Sequence, residues 1–253
     1  MRIFKTNSLN QEIFVTPLSG NNYSVLEGDI YGDIRKTKRV VTLSEAQLKF
    51  PFSPSKIIGI GSNFPDKDIT LKRNNPAIFS LPKSSIIDSN ENINLTEYFS
   101  NAYIEGELAL IVSKQIKHVK PELVKNYILG YSICNDISAR DSSLDYVSNL
   151  VRKGADSFLP LGPCLFKTSA IKHFDINISI NGVLKISSNT NNMLFSIEEC
   201  ISFISKFVTL DPGDVIALGA PLPKPIAYPG DTVEIEVPQI GTLKNKIVSK
   251  KVY

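Results

Sequence analysis

Two carboxylates one residue apart, Glu105-Gly106-Glu107, stand at the head of the apolar run Leu108–Val112. In a β-strand, residues two apart project from the same face, so these acids would lie side by side. Converging carboxylates repel one another unless a cation joins them, and all-oxygen sites favour hard ions such as Mg²⁺, Mn²⁺ or Ca²⁺. The chain carries its own control. Glu234-Ile235-Glu236 has the same spacing, but there Val233, Ile235 and Val237 alternate cleanly with the acids, the pattern of a solvated strand face. Beyond Glu107 both faces turn apolar, with Ala109 and Ile111 on one side and Leu108, Leu110 and Val112 on the other. Charges at the end of a strand buried on both faces call for a metal or a basic partner.

The pair alone still allows an ordinary polar strand end, so a third ligand is needed. Asp136, in Asn135-Asp136-Ile137-Ser138-Ala139-Arg140-Asp141, is the candidate. Its competing reading is a helix N-cap, with Arg140 and Asp141 pairing locally. Lys153 stands just before the Gly/Pro-rich stretch Gly154–Pro163, and a lone lysine in such a place is ordinarily a surface residue. Gly59-Ile60-Gly61 follows a strand-like run, but Phe64 and Pro65 stand where a dinucleotide-binding turn needs its third glycine and helix start.

Scarcity narrows the chemistry further. The only histidines are His118 and His173, both in polar stretches, and the cysteines are Cys134, Cys164 and Cys200 with no C-x-x-C. A Ser-His-Asp or Cys-His machine, a thiolate zinc site and a disulfide scaffold are all disfavoured. Oxygen ligands and lysine remain.

The elements that must position these groups are mostly strands. Lys56–Gly61 and Gly106–Val112 read as buried strands. Asp214–Leu218 and Asp231–Val237 each follow a Pro-Gly turn. Helical spacing marks Pro121–Tyr131 and Ser196–Phe207, and Leu43–Leu48 fits a single helical turn. Strands outnumber helices without regular alternation, which predicts a mainly β or α+β body. The Pro/Ser loop at Pro51–Ser55 suggests a boundary between a small N-terminal domain, 1–55, and a larger one, 56–253. The 253 residues are 42% apolar and carry a net charge of +3, too little for a nucleic-acid-binding stripe. No signal-like segment and no bilayer-spanning run is present, so a cytoplasmic protein without a membrane partner is expected.

Taken together, several segments resemble the fumarylacetoacetate hydrolase family. Asn75-Pro76-Ala77-Ile78-Phe79-Ser80 resembles its P-x-x-F segment, and Glu105-Gly106-Glu107-Leu108 its E-x-E-L strand. Gly130–Asp141 resembles its G-Y-x-x-x-N-D-x-S-A-R-D signature, and Lys153–Pro163 its K-x-x-D-x-F-x-P-L-G-P loop. The resemblance spans roughly residues 55 to 248 and implies a barrel-like β-roll behind a small N-terminal domain, usually a homodimer. It also implies a divalent metal (Mg²⁺, or Mn²⁺ or Ca²⁺) on Glu105, Glu107 and Asp136, and Lys153 in the pocket. Asn63 and Arg140 become candidate substrate contacts, and the substrate class becomes 2-oxo or diketo acids.

Departures from the family pattern bear on the reaction. In Gly61-Ser62-Asn63-Phe64-Pro65-Asp66-Lys67, Lys67 holds the position of the family's water-activating histidine, and Thr70 that of its acidic partner. Leu81, Ser143 and Ala220 replace a lysine, a glutamine and a threonine. Protonated lysine is a poor base. Lys67 and Lys153 are therefore candidate catalytic residues for enolisation chemistry (isomerisation, hydration or decarboxylation) rather than C–C hydrolysis. The alternative is a relative without catalysis that binds a metabolite or serves as a structural subunit.

Overall fold

The computed structural model describes residues 1–8, 11–65 and 74–251. Strands dominate, and they form two mixed sheets and a small antiparallel one, open instead of closing into a barrel. The largest has eleven strands. Its centre is Gly106–Val112, antiparallel to Ile128–Asn135 on one side and to Val215–Ala217 on the other. All seven residues of Gly106–Val112 are buried, as the apolar continuation of both faces requires. Val215–Ala217 then pairs in parallel with Ile57–Gly61, which is followed by Ala77–Leu81 at one end of the sheet.

In the other direction Ile128–Asn135 pairs with Leu159–Lys167, which meets the N-terminal strand Arg2–Ser8. A meander through Gln11–Pro17 and Asn22–Gly28 ends on the edge strand Ile34–Thr42, whose Arg35, Lys36, Lys38 and Arg39 are all exposed. Residues of this meander enter both hydrophobic clusters of the molecule: Phe4, Val15 and Val25 in the larger, Ile3 and Leu26 in the smaller.

A five-stranded sheet, Asp175–Ile180 and Thr232–Val237 among its members, packs behind the start of Gly106–Val112. The fit depends on Gly106, where an added Cβ would stand 2.9 Å from Ile235 Cγ2 and 3.1 Å from Ile178 Cδ1. Glu234 and Glu236 lie on the outer face of that sheet, Glu234 paired with Lys244 at 2.8 Å, as their alternation implies. The third sheet has three short strands, Phe99–Tyr103 between Ser138–Ser142 and Ile226–Ala227.

The helix expected over Ser196–Phe207 forms as Ile197–Phe207, with Ser196 and Glu199 closing a capping box. The other helical expectation is corrected. Pro121–Tyr127 is 3₁₀ and buries only Val124, while Ile128 begins a fully buried eight-residue strand. The apolar residues there have sheet neighbours on both sides, and that pairing overrides local helical spacing. Leu43–Leu48 contributes a 3₁₀ turn at Glu45–Gln47. Among the described residues no helix is long and apolar enough to cross a membrane.

Candidate metal centre

Sheet register brings the acids together. Gly106 pairs with Asn135 and Glu107 with Cys134, so the beginning of one strand meets the end of its neighbour. The chain then turns at Asp136, whose N–H donates to the Glu105 carbonyl at 3.0 Å, while Glu105 N–H donates to Asn135 Oδ1 at 3.1 Å. Asp136 caps no helix; it links Ile128–Asn135 to Ser138–Ser142. Glu105, Glu107 and Asp136 are all buried, and each offers a carboxylate oxygen within 4.8 Å of the others'.

Lys153, at the end of the short helix Asn149–Lys153, reaches Asp136 Oδ2 at 2.6 Å and Glu105 Oε1 at 3.1 Å. Ser138 Oγ donates to Glu105 Oε1 at 2.6 Å, and the Gly219 N–H donates to Glu107 Oε2 at 2.7 Å. Lys224 Nζ lies 2.7 Å from Glu105 Oε2. Neither Lys224 nor Gly219 stands out in the sequence. Lys224 is one lysine in a Pro-rich loop, and a backbone N–H has no residue-type signature at all.

Among the described residues three carboxylates thus face two ammonium groups, and the electrostatics of each group reflect this crowding. Burial, reinforced by Asp136 and Glu105, pushes the Glu107 carboxyl well above the usual carboxylate range. Burial also pushes Asp136 up to about 6, against the pull of Lys153. Burial would raise Glu105 as well, but Lys153 and Lys224 outweigh it and hold it low. Lys153 is held above its ordinary range because Asp136 and Glu105 outweigh its own desolvation. Among the described residues Asp136 Oδ1, a buried atom, has no hydrogen-bond partner, a costly arrangement for a carboxylate oxygen. Oxygen-only donors, excess negative charge and one orphaned oxygen together fit a hard divalent cation.

The cluster floors a cavity of about 380 Å³ whose walls include Phe79, Arg140, Lys153, Leu222 and Lys224. Phe79 occupies the space left by Gly59, its partner in strand register, where any Cβ would overlap its ring. Gly59 therefore makes room for a wall residue. Arg140 stacks its guanidinium 4.4 Å above the Tyr103 ring, and among the described residues its buried Nε has no partner.

Asn63 is placed differently from the other candidates. It is fully buried, donating to the Leu218 carbonyl at 2.8 Å and accepting from the Phe195 N–H at 2.9 Å. Its amide is spent on holding two loops together, one of them the loop that carries Gly219, and not on the cavity wall. Lys67 and Thr70 lie outside the described residues. His118 and His173 are exposed and neither lines this cavity.

A family profile described as fumarylacetoacetate (FAA) hydrolase C-terminal matches residues 56–248. The chain belongs to the fumarylacetoacetate hydrolase family. It is an enzyme of that family. It is 34% identical over 229 residues to a mitochondrial oxaloacetate tautomerase of Xenopus laevis, covering 83% of this chain and 71% of that protein. It superposes on a 5-carboxymethyl-2-hydroxymuconate delta-isomerase from Mycobacterium smegmatis with a TM-score of 0.86 and 32% identity, covering 99% and 100% of the two chains. A 2-hydroxyhepta-2,4-diene-1,7-dioate isomerase from Mycobacterium marinum gives 0.84 and 30%, with 99% of each chain covered. The acidic triad is thus a possible divalent-metal site within a family that includes isomerases and a tautomerase.

Proposed function

We propose that this enzyme interconverts the keto and enol forms of a 2-oxo acid, with Mg²⁺ or Mn²⁺ held by Glu105, Glu107 and Asp136. The observation that carries the reading is a buried three-carboxylate cluster, in which Asp136 Oδ1 has no partner among the described residues, on the floor of a cavity walled by Arg140, Lys153 and Lys224. A divalent cation there supplies Lewis-acid polarisation of a carbonyl, favouring negative charge on its oxygen.

The chain's own residues do the rest. Ser138 and Lys153 fix the Glu105 carboxylate, and Gly219 fixes that of Glu107. Lys153 keeps its proton, so its Nζ acts as a hydrogen-bond donor and positive charge and not as a base. Arg140 stands on the wall as a partner for a substrate carboxylate, while Phe79 and Leu222 give the wall an apolar stretch. Lys67, at the family's histidine position, completes the proposed set, and a protonated lysine there disfavours water activation for C–C hydrolysis. The relatives named as isomerases and a tautomerase support rearrangement over cleavage.

The test is metal analysis combined with spectrophotometric decay of enol oxaloacetate, using 2-hydroxydienoates and acylpyruvates as comparison substrates. The expected result is Mg²⁺- or Mn²⁺-dependent ketonisation by the wild type, with metal and turnover both lost in Glu105→Ala and Asp136→Ala. Acylpyruvate hydrolysis outpacing ketonisation would overturn the reaction assignment. Metal binding without turnover of any of these substrates would overturn the proposed substrate class.

A further inference from the structure

The hydrogen-bond capacity of Glu105 gives Lys224 a specific task. A carboxylate oxygen offers two lone pairs. Both on Oε1 are taken, by Ser138 Oγ at 2.6 Å and Lys153 Nζ at 3.1 Å. Among the described residues Oε2 accepts only from Lys224, at 2.7 Å. The spare lone pair of Glu105 is therefore on the oxygen that already carries an ammonium group, and a divalent cation using it would meet like charge at close range.

The two lysines are not equally able to yield. Lys153 is clamped by Asp136 and Glu105, with its side chain 19% exposed. Among the described residues Lys224 has Glu105 as its one carboxylate partner; it is 28% exposed and projects from Pro221-Leu222-Pro223-Lys224-Pro225 onto the cavity wall. Its long, flexible stem lets the ammonium move within the cavity without moving the backbone.

We propose that Lys224 is a displaceable counter-cation, holding Glu105 while the carboxylate cluster is metal-free and turning to the substrate's carboxylate once a divalent cation takes its place. This rests on the metal-dependent reading above. Lys224 then links two binding events. Cation and ammonium compete when no anion is present, and an anion in the cavity relieves the competition by giving the displaced ammonium a partner. Such coupling is reciprocal, so metal must also tighten anion binding through Lys224.

The experiment measures Mn²⁺ binding directly, by the loss of the free-ion paramagnetic resonance signal, with and without oxalate as a non-reacting carboxylate probe. Lys224→Met keeps the apolar stem and removes the charge; Lys224→Arg keeps the charge. Without oxalate, Lys224→Met should bind Mn²⁺ roughly tenfold more tightly than wild type, and oxalate should improve its Mn²⁺ affinity by a smaller factor. Lys224→Arg should follow wild type. Mn²⁺ affinity unchanged or weakened in a folded Lys224→Met would overturn the competition, and an unchanged oxalate gain would overturn the substrate contact. Circular dichroism checks the fold, and Lys224→Gln gives the same comparison if the methionine variant is unstable. Wild-type protein that binds no Mn²⁺ at all would instead sink the metal reading itself.

Discussion

Asp136→Asn should stabilise the metal-free protein at neutral pH and remove the stabilisation that metal gives. A carboxyl raised from its ordinary 3.8 to about 6 by burial has its charged form disfavoured by roughly 3 kcal/mol. Between those values the folded state binds more protons than the unfolded chain, so this group's contribution to stability falls as pH rises through the window and levels off above about 6. Asparagine keeps the shape of the protonated acid and escapes the penalty. In EDTA, melts of the two proteins should coincide near pH 4 and separate by pH 7, the variant melting roughly 6–12 °C higher. With Mg²⁺ the order should reverse, because the wild type gains ligand-linked stability that the variant lacks. A variant less stable than wild type in EDTA at pH 7, or a gap independent of pH, would refute the account of Asp136 as a strained, buried charge.

Asn63→Ala should leave the Phe195 N–H and Leu218 carbonyl unpaired at roughly 1–3 kcal/mol each. It should also weaken Mn²⁺ binding, because the loop it anchors carries the Gly219 donor to Glu107; thermal melts and a metal titration check both. Gly130→Ala should fold poorly, since its Cβ would overlap the backbone oxygen of Phe166 on the neighbouring strand, and soluble yield against a Ser132→Ala control measures this. All three cysteines are buried, and burial pushes Cys164 and Cys200 up to about 12 and Cys134 well above its usual value. A thiol reagent at pH 8 should therefore label none in the folded protein and all three in urea.

The Glu105 and Glu107 pair can be singled out by local rules, with Asp136 a candidate third acid, but the resemblance to the family joins the three as one site. Two-residue spacing followed by burial on both faces set Glu105 and Glu107 apart from the solvated pair Glu234 and Glu236, and the Asn135-Asp136 turn supplied the third acid. What could not be read depends on contacts distant along the chain. Lys224 is 119 residues from Glu105 and Asn63 is 155 from Leu218, and no periodicity records such pairings. Asn63 is singled out by its position in a family-like loop, and its bonds to the Leu218 carbonyl and Phe195 N–H are contacts that no motif records. The strand at Ile128–Asn135 shows the limit of periodicity, since sheet neighbours and not helical spacing decided its form. Lys67 was singled out by motif position alone and lies outside the described residues.

The N-terminal meander has a consequence for association. The family-matched segment begins at residue 56, and without the strands before it Leu159–Lys167 would lose its Arg2–Ser8 neighbour and offer unpaired N–H and C=O groups to other chains. With the meander in place, that end of the sheet moves out to Ile34–Thr42, where four exposed basic side chains on nine residues repel a second copy of the same edge. The first 42 residues thus act as a guard against strand-to-strand aggregation, a task independent of anything in the cavity.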